Sequence, residues 1–117
     1  MAIAWDSSQA ARVSDILSRF PVDSRHCALA AREIHPIARE RDPEATVWQL
    51  WPLEGRYVVP KVPLRRPWYY HMTVEVEAHC VDALTGVSGT SRTDYVRTHW
   101  RYDAMRWVPD DLSGEEP

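Results

Sequence analysis

WYYHMTVEVEA, from Trp68 to Ala78, is the stretch whose reading decides the fold. It is rich in aromatic and β-branched residues, and it alternates with the period of two that a strand imposes. Trp68, Tyr70, Met72, Val74 and Val76 fall on one face; Tyr69, His71, Thr73, Glu75 and Glu77 fall on the other, polar face. A tight turn near Glu77 to His79 predicts a hairpin into a second strand, Cys80 to Leu84, which Thr85-Gly86 ends. The length of that turn decides where Asp82 points. A two-residue loop centred between Glu77 and Ala78 sets Asp82 opposite Thr73 and diagonal to His71, about 7–8 Å away at Cα and within side-chain reach. An odd-length loop puts Asp82 on the other face.

Upstream, Thr46 to Trp51 (TVWQLW) reads as another strand, bounded by Pro43 and Pro52. Arg56 to Val59 is short, and Pro60 and Pro63 make it an edge strand or an extended loop. The first third of the chain has helical spacing instead. Ala10, Val13, Ile16, Leu17 and Phe20 recur at steps of three and four, which predicts a helix from Ser7 to Phe20. Ser7 or Ser8 offers its N-cap, and Pro21 ends it. A turn-rich link, Pro21 to His26, supplies Asp23 or Ser24 as N-cap for a second helix starting at about Arg25 to Cys27 (CALAAREIHPIARER). Cys27, Ala30, Ala31, Ile34 and Ile37 or Ala38 form its apolar face, and the small alanines admit a close neighbour. Pro36 conflicts with a helix interior at a cost of about 3 kcal/mol, so a kink or restart is expected near His35. Asp42-Pro43 terminates the helix. Downstream, Ser88 to Ser91 reads as a loop. Asp94 to Val108 fits either a last strand with a turn or a short helix carrying Tyr95, Trp100 and Trp107 inward. Residues 109–117 read as an acidic, flexible tail after a single domain, 1–108. The expected class is α+β: two N-terminal helices packed on an antiparallel sheet of three to five strands.

Composition narrows the function. With 117 residues, the chain is the size of one domain and long enough to bury roughly two-thirds of its unfolded surface. Seventeen acidic against 14 basic residues argue against a dedicated nucleic-acid binder, which shows a basic stripe. Lys61 is the only lysine, so nearly all positive charge is arginine; composition bias and ion pairing both account for that. No apolar run is long enough to span a membrane, and Met1 to Gln9 lacks the pattern of a secretory signal. Two cysteines make no disulfide framework, although one Cys27–Cys80 bridge is open arithmetically.

The chemistry-bearing residues are few. Cys27 opens a helix, whose electropositive end favours thiolate; its plain alternative is a small core residue. His71 is flanked by Trp68, Tyr69 and Tyr70, neighbours that desolvate an imidazole and hold its orientation. Asp82 is the only acid within Cys80 to Leu84. For these two the plain alternatives are a sheet-surface histidine and a turn-proximal acid. Together the three make a generalised triad, in which the base deprotonates the thiol and the acid orients the base. A zinc site from Cys27, Cys80 and two histidines is a weaker reading, because His26-Cys27 and His79-Cys80 lack metal-ligand spacing. Trp48, Trp51 and Trp107 read as core filler, Tyr70 as core, and Trp68 as either core or substrate contact. Glu75 and Glu77 read as a solvated sheet face.

The order helix-borne Cys, strand-borne His, then Asp on the next strand resembles the papain-like superfamily. In particular it is similar to the small papain-fold toxin domains of bacterial polymorphic toxins, including those related to protein-glutamine deamidases. The matching stretches are Cys27 to Ala31, Tyr70 to Glu75 and Val81 to Gly86, within a span of about Asp23 to Gly86. The resemblance implies a minimal papain-like arrangement, with Cys27 as nucleophile, His71 as base and acid, and Asp82 as the orienting group. It implies amide hydrolysis, as a peptidase or glutamine deamidase, on a protein substrate and without metal or organic cofactor. It further implies a bacterial toxin or effector made in the cytoplasm, with a cognate immunity protein and a carrier domain or export apparatus as partners. Papain carries a glutamine before its cysteine that donates to the oxyanion; Pro21 to His26 holds no amide side chain, leaving Ser24 and His26 as candidate donors beside the Cys27 N–H. The competing expectation is a non-enzymatic interaction module, an inhibitor or immunity-type protein built on the same helices and sheet.

Overall fold

A computed structural model describes residues 2–111. The architecture is α+β. Helix α1 (Ser7–Arg19) and helix α2 (Cys27–Arg41) precede strands β1 (Thr46–Trp51), β2 (His71–Val76), β3 (His79–Val81) and β4 (Thr90–Ser91), helix α3 (Arg92–His99) and strand β5 (Arg106–Pro109). The five strands form one sheet in the order β4-β3-β2-β1-β5, every neighbouring pair antiparallel. The strand that opens with His71 therefore sits in the middle.

The β2–β3 hairpin has the two-residue loop. Val76 pairs with His79, Glu75 with Cys80 and Val74 with Val81, so Asp82 follows at the level of Thr73. Glu77 and Ala78 both take left-handed backbone, with φ of 50° and 62°, the geometry that a two-residue hairpin of this twist requires and that glycine or asparagine usually supplies. Here neighbours hold it. Asp42 Oδ2 accepts from the Glu77 N–H at 2.9 Å, Arg41 pairs with the Glu77 carboxylate at 3.1 Å, and the Arg92 N–H donates to the Ala78 carbonyl at 2.9 Å.

One face of the sheet is aliphatic. Ala28, Ala30, Ala31, Ile34, Ile37 and Ala38 of α2 are buried against Met72, Val74 and Val76, with Val13 and Ile16 of α1 in the same core. The other face is the departure from the sequence reading. Instead of facing solvent, it is covered by an aromatic cluster of Leu50, Val58, Trp68, Cys80, Tyr95, Trp100 and Met105. His71 and Thr73 are consequently buried, and Glu75 accepts from Trp48 Nε1 and Arg92 rather than being solvated. Trp68 lies outside β2, beyond a bend at Tyr69, and bridges to Val58; that bend brings it to the His71 side.

Other expectations shift by short distances. The N-cap of α1 is Asp6, in a reciprocal capping box with Gln9, rather than Ser7 or Ser8; a carboxylate three residues before a glutamine satisfies two backbone donors at once. The residue before α2 is His26, with no side-chain cap from Asp23 or Ser24. The helix runs through Pro36 without a restart, with the proline ring on the exposed face. Residues 82–85 form a turn rather than strand, Thr90–Ser91 pairs as β4, and α3 and β5 share the segment that was ambiguous. Trp48, Trp51 and Trp107 are half-buried: Arg92 lies 4.6 and 4.2 Å from the Trp48 and Trp107 rings, and Trp51 stacks on Tyr70 at 4.6 Å. The sheet takes in Pro109, and the Asp110 N–H bonds to Val47; the rest of the expected tail, from Leu112, lies outside the described residues.

Candidate active site

Three elements converge between α2 and the sheet. Cys27 is the first residue of α2, His71 the first of β2, and Asp82 the residue after β3. His71 and Asp82 are 2% and 5% exposed, and their side chains meet at 3.2 Å, Nε2 to Oδ2. Cys27, His71 and Asp82 line one small cavity of about 10 Å³, with Ala30, Ala31 and Met72 among its walls. That is room for about one water.

Asp82 is held on every side. Its Oδ1 accepts from the backbone N–H groups of Leu84 and Thr85 at 2.8 and 3.2 Å, and its Oδ2 from the Tyr95 hydroxyl at 2.6 Å as well as from His71. Thr85 Oγ1 closes the turn by accepting from the Asp82 N–H at 3.0 Å, and Gly86 leaves it at φ 75°. An aspartate bonding its own backbone two residues on is a standard turn device; here the turn freezes the carboxylate. Burial alone would raise the pKa of Asp82, but its bonds to His71, Tyr95 and Thr73 and the adjacent imidazolium pull it down from 3.8 to about 2.

His71 is fixed in the same manner. Trp68 stacks on the imidazole at 5.0 Å with 15° between planes, and Trp100 leans on it at 5.3 Å. Burial by itself would lower its pKa; the Asp82 carboxylate and the nearby Cys27 sulfur outweigh that and lift it from 6.5 to about 9. With Nε2 committed to Asp82, the nitrogen left for the thiol is Nδ1, which is buried and makes no hydrogen bond. A buried polar atom without a partner is costly, and a cavity wall shared with a cysteine gives it one candidate.

Cys27 also faces outward. It lines a second, outer cleft of about 90 Å³ together with Val22, Arg25, Pro67, Trp68 and Tyr69. Cys27 thus lines both the inner cavity, with the imidazole–carboxylate pair, and the outer cleft. No side chain caps α2, so its first N–H groups are not taken by one.

The expected oxyanion donors are not brought to this place. The His26 side chain is exposed and packs edge-on against Phe20 at 5.9 Å, while Ser24 Oγ accepts from the His26 N–H at 3.3 Å. Neither residue lines the inner cavity or the outer cleft. The short turn of 22–24, followed by left-handed Arg25 at φ 66°, turns both away. Both cysteines are free thiols, and Cys80 is buried; burial and the nearby acids Asp82 and Glu75 push its pKa far up. Among the described residues no three His, Cys, Asp or Glu side chains are grouped to hold a metal ion. The sequence offers Tyr95 and Trp100 only as inward-facing residues of an alternative helix and Thr85 only as a strand end, none of them as part of the site. The signal for Thr85 was present in Asp82-Ala83-Leu84-Thr85-Gly86, whereas Tyr95 and Trp100 come from the ambiguous segment and reach the site only through packing.

No family model, curated protein or solved structure matches the chain.

Proposed function

We propose that this protein is a cysteine-nucleophile amide hydrolase, a minimal papain-like domain acting as a peptidase or protein-glutamine deamidase. The observation that carries the reading is the buried His71–Asp82 pair, whose second nitrogen, Nδ1, has no other partner and shares a cavity with Cys27.

The chemistry follows from the proton inventory. With its pKa raised to about 9, His71 holds a proton at neutral pH, and Asp82 compensates the positive charge. That proton, on Nδ1, is the one drawn from the Cys27 sulfur, which attacks the amide carbonyl carbon as a thiolate. The tetrahedral intermediate places its oxyanion at the uncapped start of α2, where the Cys27 N–H is the nearest donor. The C–N bond breaks, the departing nitrogen takes the proton from His71, and a thioester remains. Water then loses a proton to His71 and attacks the thioester carbon; the carboxylic acid leaves and the thiol is restored. Asp82, locked by Tyr95 and the 84–85 backbone, keeps Nδ1 aimed at the sulfur throughout.

A toxin or effector role in a bacterial cell, restrained by an immunity protein and exported with a carrier, is the biological setting proposed for this chemistry. Among the described residues no helix is long and apolar enough to cross a membrane. Expression in bacteria tests the proposal. Growth arrest that disappears in Cys27→Ala and His71→Ala but persists in Cys80→Ala, with the mass gain of deamidation or new cleavage sites in host proteins, supports it. Equal toxicity in all three variants overturns it, and a Cys27 as inert as Cys80 supports the interaction-module alternative, for which exposed Leu53, Val62 and Tyr69 offer surface.

A further inference from the structure

Arg25 lies two residues before Cys27 and lines the outer cleft with it, beside Trp68 and Tyr69. Its backbone is left-handed, φ 66°, a conformation that is rare for a non-glycine residue and clusters at functional positions. Its side chain is exposed and has no ion pair or hydrogen bond among the described residues. Arg12, Arg19, Arg41, Arg65, Arg92 and Arg97 pair with carboxylates, whereas Arg25, at the cleft, does not. The nearest acid in sequence, Asp23, is already occupied: it accepts from the Arg65 backbone N–H at 3.3 Å and pairs with the Arg65 side chain at 3.4 Å. A guanidinium is thus left uncompensated at the mouth of the cleft, in a protein whose net charge is −3. Tyr69, 54% exposed, adds an aromatic wall.

We infer that Arg25 is a specificity residue that binds a carboxylate of the substrate close to the reactive amide, so that the preferred substrate presents its amide in an acidic segment. Guanidinium binds carboxylate in a bidentate fork, and nothing else in the cleft lining carries a charge. This assignment rests on Cys27 being the nucleophile.

Two alkylating reagents of nearly equal size separate the two ideas. Iodoacetate carries the carboxylate and iodoacetamide is its neutral counterpart; Cys27 modification by each is followed by mass spectrometry on the whole protein. The expected result is saturable iodoacetate labelling in the parent protein, and an iodoacetate-to-iodoacetamide rate ratio that falls about fivefold in Arg25→Gln, the order of one charge acting across a hydrated contact. Arg25→Lys should keep much of the ratio, and added salt should erode it. A ratio unchanged in Arg25→Gln, with Cys27 still reactive toward iodoacetamide, overturns the assignment and leaves the nucleophile standing. A Cys27 inert to both reagents overturns both.

Discussion

Cys27 and Cys80 are the same residue, each preceded by a histidine, and the fold treats them in opposite ways. Cys80 sits mid-sheet in the aromatic cluster, sealed from solvent with its thiol pushed toward the protonated form. Cys27 begins a helix at the edge of the aliphatic core, with an imidazole on one side and an open cleft on the other. The difference lies in what surrounds each sulfur: reactivity needs a proton acceptor within reach and a path for substrate, and only Cys27 has both. The contrast also separates function from stability. Replacing one should remove chemistry, and replacing the other should loosen the fold.

The largest effect is expected at Cys27, the proposed nucleophile. Cys27→Ala should abolish hydrolysis while leaving the melting temperature nearly unchanged, because Cys27 is only partly buried; Cys80→Ala should do the converse, retaining activity at a cost of about 1–3 kcal/mol for a buried truncation. Activity assays and thermal melts on the two variants check this as a pair. Asp82→Asn comes next. It keeps the shape but removes the charge that holds His71 protonated, so turnover should drop by about 10³–10⁴ as in other triads that lose their acid.

The same pair gives a pH signature in stability. His71 is raised from 6.5 to about 9, so its contribution is fully present below pH 6.5 and is lost as pH rises through 9. Asp82 is lowered from 3.8 to about 2, so its contribution is present above pH 3.8 and is lost as pH falls toward 2. The stability gap between the parent protein and Asp82→Asn should therefore be widest between pH 3.8 and 6.5 and should narrow as pH rises through 9. Denaturant melts across that range read it, and a gap independent of pH would contradict the ion pair. The smallest effect is expected from Tyr95→Phe, which deletes the 2.6 Å bond to Asp82. Loss of a hydrogen bond to a charged group costs about 1.5–3 kcal/mol, and because the Tyr95 hydroxyl helps hold the Asp82 pKa down, the acid edge of the turnover profile should move to higher pH.

The parts of this site legible in the sequence are those set by local rules. Alternation in Trp68 to Ala78 located β2; loop parity left Asp82 on either face, and the observed register is the two-residue-loop alternative that sets it level with Thr73. Apolar spacing located both N-terminal helices, and the turn chemistry of Asp82 to Gly86 was visible as a strand end. What failed was long-range. Nothing local says that α3 and Trp100 fold over the second face of the sheet, and that cover turns a surface histidine into a buried base. Tyr95 reaches Asp82 only through that same packing. Proximity in sequence to Cys27 points to Ser24 and His26, but the chain reverses at left-handed Arg25 between them and neither lines the cavity or the cleft.

The most direct test of the account is the pH dependence of iodoacetamide alkylation at Cys27, in the parent protein and in His71→Ala. An imidazole that takes the thiol proton predicts rates at pH 6 within a few-fold of those at pH 8, and a drop of more than about tenfold at pH 6 when His71 is removed, with Cys80 unlabelled. Rates that climb about tenfold per pH unit through neutrality, identically in both proteins, would show that the sulfur and the imidazole do not act together.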